Sequence, residues 1–589
     1  MRFNLFQPFA RFLYPYRGQV ALGLLLLFVT LAISLMIPKL MQWGIEAIEQ
    51  ALKGSASLDG QTSDIGGDLA LYAGLIAGLS LLNWLLSIGM RYYLTIVSRK
   101  VERDIRSAYV NHLLRLPLSY FHQRRVGDLM ARATNDVEAI QRFLHHAFRM
   151  SLTGALTFVL TLILMCFIDW QLAILSLLPM PVMVLTTRWV GEKVRSGYRK
   201  VQEQFAEMVA CIQENLSGMR VVKAYALEGA EIEDFAGLNE EYVAHNRRLV
   251  KIRALFFPFT FLLNGASMLV ILWLGGLRVI DGAMSLGAFV AFNAYLIRMG
   301  RPMMLLGRIV DEYQRAVASM GRIQSVIDAE PQALGGAEQM DIRGEIEFRA
   351  TSFAYDERPA LEDVSIRVPA GTSLAIVGRV GAGKTTLARF IPRLIESGEG
   401  QLLIDGRPIA EIPLGDLREA IGYVPQETFL FSETLRENVQ LGSEHSAQTT
   451  VEEAVEIAQL ATDLASFPQG LETIVGERGV TLSGGQKQRT ALARAVIRRP
   501  KILILDDALA AVDTHTEEEI LKRLRGIMAE RTTLIIAHRI STVKDADQIA
   551  VLDEGRLVEL GTHQELVARD GIYADMCRRQ NLSSELEAL

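Results

Sequence analysis

Cysteine is scarce in this chain: Cys166, Cys211 and Cys577 are the only three in 589 residues, far apart and without metal-binding or redox spacing. Neither a disulfide framework nor a cysteine-held metal cluster is expected. A basic excess is also lacking, with 61 Lys and Arg against 67 Asp and Glu and a net charge of -6. That balance excludes the concentrated basic surface that nucleic-acid binding requires, so no nucleic acid is expected as a partner. The N-terminus has no short apolar core ending at a small-residue cleavage site, so the aromatic and basic residues 1–17 read as an interfacial elbow helix rather than a removable signal. Long hydrophobic runs are missing from only one part of the chain. Runs such as Val20–Ile37 and Ala155–Ile168 precede residues 310–340; beyond them nothing approaches the roughly 20 apolar residues of a bilayer-crossing helix.

The composition, 50% hydrophobic yet 22% charged, is the average of a very apolar half and an ordinary soluble half. Single cores stop growing near about 250–300 residues, which also favours two domains. Apolar windows place six spans near 18–43, 69–94, 147–167, 171–190, 256–280 and 286–308, within a membrane domain over 18–310. Segment 95–146 carries Arg99, Lys100, Arg103, Arg106, Arg115, Arg124, Arg125 and Arg132, whereas 44–68 carries Lys53 against Glu46, Glu49, Asp59, Asp64 and Asp68. The bias puts 95–146 in the cytoplasm and 44–68 outside. The turns at Asp169-Trp170 and Asp281-Gly282 are then external, and 191–255 is a second cytoplasmic excursion. Both excursions read as helical extensions of the spans, each ending in a crossing turn, near 117–128 and 214–224. A linker is expected over 311–339, a soluble domain over 340–580 and a tail over 581–589.

The soluble half carries the chemistry. Gly378, Arg379, Val380, Gly381, Ala382, Gly383, Lys384 and Thr385 fit the phosphate-loop pattern, after the apolar strand Ser373–Val377 and before a helix opening at Thr386. Glycines let backbone N–H groups converge on phosphate oxygens, Lys384 supplies a point charge to the outer phosphates, and the Thr385 hydroxyl reaches Mg²⁺. Ile502–Leu505 reads as a buried strand that delivers Asp506 to its end, where a carboxylate can hold the same ion.

Leu482-Ser483-Gly484-Gly485-Gln486-Lys487-Gln488-Arg489, between the loop and Asp506, decides which nucleotidase this is. Here the sequence resembles the ATP-binding cassette family, and the six-span half with its two coupling turns resembles that family's exporters. The resemblance implies an α-helical membrane domain followed by an α/β P-loop nucleotide-binding domain, with ATP and Mg²⁺ as cofactors. It implies that Tyr355 stacks on adenine, that Gln426 senses Mg²⁺ and the attacking water, and that Ser483, Gly484, Gly485 and Gln486 complete the opposite subunit's site. It also implies that His538 contacts the γ-phosphate and that Asp513 ends a loop communicating across a dimer.

One departure stands out. After Asp506 the family's hydrolytic sites carry Glu; this chain carries Asp507. The carboxylate stands back by one methylene, about 1.5 Å, and a misplacement of about 1 Å can cost about a hundredfold in rate. An intact signature beside a weakened carboxylate resembles one subunit of bacterial heterodimeric multidrug-type exporters of the cytoplasmic (inner) membrane, whose partner chain supplies the catalytic Glu. The cargo expected is an amphipathic drug or lipid, with membrane lipid around the spans. The alternatives are a homodimeric exporter of lipid or peptide and an ATP-gated regulatory membrane protein. A soluble cassette ATPase is excluded by the spans, and a peptide processor is disfavoured because the chain starts at the membrane. In the sixth span Arg298 lies about 18 Å from the outer turn, past the middle of a core about 30 Å thick. It either snorkels inward beside Arg301 or, with Asn293, faces a cavity that favours anionic cargo.

Overall fold

The structure is a computed structural model and describes residues 7–54, 65–355, 358–396, 399–441, 450–476 and 482–587. The chain divides into two compact units, Met1–Leu114 with Arg125–Ala329, and Arg115–Arg124 with Glu330–Leu589.

The first unit is helical. Helix α1 (Gln7–Leu13) and one 3₁₀ turn lead into α2 (Arg17–Gly54), followed by α3 (Ile65–Leu113), α4 (Phe148–Leu177), α5 (Pro179–Ser217), α6 (Glu228–Val270) and α7 (Leu286–Ile327). Among the described residues four helices, Phe9–Gln50, Gly67–Leu113, Val126–Leu177 and Glu228–Ile280, are long and apolar enough to cross a membrane, and Leu286–Gly300 is a shorter apolar stretch. The expected window 171–190 is no single helix: it is shared between α4 and α5, which meet at Leu178. At Asp169 the backbone is extended (φ -158, ψ 107), and its carboxylate accepts from the Leu172 N–H at 2.9 Å, breaking α4 where the outer turn is expected. The elbow occupies Gln7–Tyr16, residues 1–6 lying outside the described set. The expected outer segment 44–68 differs too, because α2 continues to Gly54 and α3 resumes at Ile65, with 55–64 outside the described residues. Hydropathy marks where lipid ends, whereas Glu, Gln, Ala and Lys in 46–53 keep a helix going beyond it.

Close approach holds the bundle together. A Cβ on Gly287 of α7 would stand 2.3 Å from the Gln42 carbonyl oxygen of α2, so only glycine fits there. One turn or two further along, the buried Tyr295 hydroxyl donates to the Leu35 carbonyl at 2.9 Å. Met165, Leu172, Ile271, Phe292 and Met299 fill the space between these helices. Toward the other end, Asp136 accepts from Arg322 Nε at 2.8 Å and from the Ser319 hydroxyl at 2.9 Å, tying the segment ahead of α4 to α7. Two π-turns, Arg132–Asp136 and Phe143–Ala147, flank Val137–Arg142 in that segment, and a third lies at Ile271–Gly275.

The expected linker 311–339 is corrected in its first part: 311–327 is the end of α7. Its apolar residues recur at helical spacing, and Ala316, Met320, Ile323 and Val326 are buried. Only the stretch from Asp328 to Glu345 lacks regular structure. The tail expected over 581–589 likewise belongs to the helix Ile572–Glu587.

The second unit is α/β, with two sheets. Strands β1 (Ile346–Tyr355), β2 (Arg358–Val368), β4 (Glu399–Ile404) and β5 (Arg407–Pro408) form an antiparallel sheet in the order β2-β1-β4-β5. Strands β3 (Ser373–Gly378), β6 (Ile421–Val424), β7 (Ile502–Asp506), β8 (Thr532–Ile536), β9 (Gln548–Asp553) and β10 (Arg556–Gly561) form the other, in the order β10-β9-β3-β8-β7-β6. From β9 to β6 the pairs are parallel, which requires cover on both faces and explains why β3, β7 and β8 are buried throughout. Helices α8 (Lys384–Phe390), α9 (Gly484–Val496) and α10 (Thr514–Met528) follow. The carboxyl ends of β3, β7 and β8 therefore point to one edge, where open α/β sheets bind ligands. The short helix Leu118–His122 belongs to this unit, and the Arg115 carbonyl nearby accepts from the Gln332 N–H at 2.8 Å.

Candidate functional site

At the end of β3 the chain turns through Gly378–Gly383 into α8. Gly378, Gly381 and Gly383 have φ of +151, +87 and +93. A Cβ on Gly378 would stand 2.1 Å from the Leu552 carbonyl oxygen, and one on Gly383 2.4 Å from that of Ala360. Sterics at two points thus demand the glycines that the pattern contains. Arg379, Val380 and Gly381 are exposed on the crest of the turn, Ala382 is buried beneath it, and Thr386 is buried in the first turn of α8. The helix opens at Lys384, two residues before the start expected from the sequence.

The Lys384 ammonium donates to the Gly378 and Arg379 carbonyls at 2.9 and 2.8 Å. It is buried, and burial lowers its pKa from the ordinary lysine value while the charges of Asp507 and Asp506 oppose that shift. The lysine is thus held inside the loop beside two carboxylates. The Thr385 hydroxyl donates to Asp506 at 2.9 Å, and Asp506, at the end of β7, is fully buried. Burial raises the Asp506 carboxyl above the ordinary aspartate range, opposed by the Thr385 hydrogen bond and the Arg389 charge. A hydroxyl and a carboxylate side by side are the hard oxygen donors that suit Mg²⁺, which would neutralise charge on phosphate oxygens there.

Strand pairing supplies further neighbours that sequence reasoning did not single out. Tyr423 of β6 sits opposite Ile504 of β7, and its hydroxyl lies 3.5 Å from Asp506 Oδ2. Burial, then the Asp506 charge, pushes that phenol up to about 12. Arg389, one turn into α8, hydrogen-bonds both Tyr423 and Tyr355. The signal for Tyr423 was its place in the motif around Gln426; for Arg389 there was none.

Asp507 is half-buried with a left-handed backbone, φ +51, and its N–H donates to the Ile536 carbonyl at 2.9 Å. Aspartate is among the few residues that visit this region readily. Because β7 pairs with β8, Asp506 lies opposite Ile536, and His538 follows two residues on. Asp507 and His538 line one cavity of about 20 Å³. Lys384, Thr385, Asp506, Asp507 and His538 thus share one edge of the sheet.

The other expected residues stand apart from that cluster. Tyr355, 39% exposed at the end of β1, meets Phe353 edge-on at 4.9 Å. Gln426 is exposed, without a hydrogen-bond partner among the described residues. Ser483 caps α9: its hydroxyl accepts from the Gln486 N–H at 3.2 Å while the Gln486 side chain accepts from the Ser483 N–H at 3.0 Å. Gly484 and Gly485 lie against Ala511, and among the described residues no hydrogen bond or ion pair joins Ser483–Gln486 to the phosphate loop. Asp513 caps α10 by accepting from the Thr516 N–H at 3.0 Å.

A parallel-sheet phosphate loop with a strand-end carboxylate, carried behind a multi-pass helical unit, defines a membrane-spanning nucleotidase. The particular family follows from comparison with known proteins. Residues 20–303 match the ABC transporter transmembrane region and residues 361–510 match the ABC transporter domain. The chain is 34% identical to the probable multidrug resistance ABC transporter ATP-binding/permease protein YheI of Bacillus subtilis, covering 98% of each. It is 35% identical to an ATP-dependent lipid A-core flippase of Syntrophus aciditrophicus, over 84% of this chain and 83% of that one. The structure of a bacterial Atm1-family ABC exporter with ATP bound matches with a TM-score of 0.77 and 29% identity, covering 96% of this chain and 99% of the other. This chain belongs to the ABC exporters, ATPases that couple ATP hydrolysis to transport.

Proposed function

We propose that this chain is one half of a dimeric exporter in the bacterial cytoplasmic (inner) membrane, moving amphipathic drugs or lipids, and that its own phosphate-loop site hydrolyses ATP slowly. The observation that carries the reading is Asp507, beside an otherwise complete site. In this reading Lys384 and the loop N–H groups hold the phosphates, Thr385, Asp506 and Gln426 hold Mg²⁺, Tyr355 stacks on adenine and His538 meets the γ-phosphate. The Ser483 hydroxyl accepts from Gln486 and keeps its own proton to donate to a phosphate of another chain. A partner subunit that carries Glu after its strand-end Asp supplies the fast site, and ATP between the two cassettes draws them together. Lipid or drug cargo is supported by the named activities of the relatives.

Arg298 narrows the cargo to anionic or zwitterionic amphiphiles. It is half-buried on α7, and no ion pair engages it among the described residues; one turn or so away, Asn293 Oδ1 is buried and unpaired. A cation in a bilayer is costly, about 2.5 kcal/mol or more at the midplane, unless it meets protein, water or an anion.

The full chain, purified alone and with the partner encoded beside it, is to be reconstituted in lipid vesicles and assayed for ATP-driven dye or lipid translocation. The expected outcome is translocation by the pair and little by the single chain; equal transport by the single chain overturns the heterodimer.

A further inference from the structure

The signature run continues past Gln486 to Gln488, whose side chain is buried at 7% exposure and has both ends engaged. Its carbonyl accepts from the Ala511 N–H at 2.9 Å and its amide donates to the Asp507 carbonyl at 3.4 Å. It therefore struts the loop between the end of β7 and α10 from inside. The glycines ahead of it let helix α9 come down on the same loop: a Cβ on Gly485 would stand 2.9 Å from the Ala511 carbonyl oxygen, and one on Gly484 3.3 Å from Ala511 Cβ. The loop's far end is pinned as well. Arg539 donates to the Val512 carbonyl at 3.2 Å and pairs with the buried Glu517, which also accepts from the Thr542 hydroxyl.

We propose that Gln488 is a positioning residue that sets the direction of the Asp507 side chain and ties it to movement of this chain's own signature helix. The left-handed backbone at Asp507 costs about 1–2 kcal/mol relative to ordinary conformations for most residues. It is held by the Ile536 carbonyl on its N–H and by Gln488 and the Ala510 N–H (3.3 Å) on its carbonyl. Without Gln488 the peptide after Asp507 is free to rotate, and the carboxylate swings with it away from Lys384. An anion arriving at the N-terminus of α9 pulls on the first-turn N–H groups. Gln488 lies in the second turn and moves with the helix, so occupancy at Ser483–Gln486 alters the geometry at the phosphate loop of the same chain. This rests on the reading that the signature meets a nucleotide bound elsewhere than on this chain's own loop.

The test compares Gln488→Leu and Gln488→Glu in two backgrounds of the full chain with its partner in lipid nanodiscs. Asp507→Glu gives this site a measurable turnover, and Asp507→Ala removes the carboxylate. The expected result is that either Gln488 change lowers kcat about tenfold in the Asp507→Glu background, by misplacing one carboxylate. KM for ATP, binding of a fluorescent ATP analogue and Tm stay near their starting values. In the Asp507→Ala background neither change has a further effect, the non-additivity expected of residues that act through one another. An equal fall in both backgrounds, an unchanged kcat in the first, or a loss of nucleotide affinity alongside a lowered Tm overturns the proposal. If Asp507→Glu and Asp507→Ala hydrolyse ATP equally before Gln488 is touched, no carboxylate at 507 bears on hydrolysis, and the weak-site reading falls together with this one.

Discussion

The two units treat buried polar groups differently. In the cassette, Lys384 is held by two carbonyls, Asp506 by Thr385, and Glu517 by Arg539 and Thr542. Arg494 donates to Phe429 O, Asn438 O and Asn438 Oδ1, fixing the segment that follows Gln426. In the helical unit Asn83 Oδ1, His145 Nδ1, Thr161 Oγ1 and Asn293 Oδ1 are buried without partners, and Arg298 has no ion pair among the described residues. Each unmade hydrogen bond costs about 1–3 kcal/mol. A fully satisfied site is ready-made for one invariant ligand, here a nucleotide. Unsatisfied groups among apolar helices suit a cargo that arrives with its own donors and acceptors.

That contrast is sharpest at Lys384. Replacing Lys384 with Ala removes the cation from a loop shaped around it, and the affinity for a fluorescent ATP analogue is expected to fall by about a hundredfold, the scale of losing a charge-assisted contact of about 3 kcal/mol. Titration of the purified full chain reads this directly, and near-normal affinity would break the view of the loop as a prebuilt site. On the other side of the comparison, Arg298→Ala is expected to shift the transport ratio of matched anionic and cationic dyes about tenfold toward the cation, by removing one charge of discrimination. A constant ratio returns Arg298 to snorkelling.

A third test concerns Tyr120 and Phe121, which meet edge-on at 6.0 Å in the short helix Leu118–His122, with the Arg124 guanidinium 4.4 Å from the Tyr120 ring centre. Changing both to Ala is expected to leave ATP binding intact and to reduce cargo stimulation of ATPase about threefold or more, since rigid aromatic knobs transmit load between packed elements. Full stimulation in the double variant refutes a coupling role. The smallest effect is expected at Asp507. In the complex with its partner, Asp507→Ala changes total ATPase by less than about twofold, because the partner's site dominates, and Asp507→Glu raises it no more than about twofold. A silenced complex after Asp507→Ala means that this site carries the turnover.

What the sequence disclosed was what depends on neighbours along the chain. The phosphate loop, the strand ahead of it and Asp506 were legible because a turn, a glycine pattern and a buried strand are local. The full length of α2 and α7 was not, since hydropathy registers lipid contact and ignores amphipathic turns such as 311–327. The role of Tyr423 was also hidden. It lies in a quoted motif, yet only the pairing of β6 with β7 brings its hydroxyl toward Asp506. Gln488 was in view as a letter of the signature, but its contacts run to a loop beyond the next strand.

The π-turns ahead of α4 have a consequence for anyone drawing a helical wheel. Each admits an extra residue into its turn, so the face presented afterwards lags by about 100° relative to an unbroken α-helix. With turns at Arg132–Asp136 and Phe143–Ala147, residues from Phe148 onward are displaced by about 200° from where a wheel begun at Val126 would put them. The same helix thereby offers two differently oriented stripes without bending sharply. A single-residue deletion within either π-turn acts as a rotary adjustment, turning everything outward of it by about 100° while shortening the helix by only about 1.5 Å.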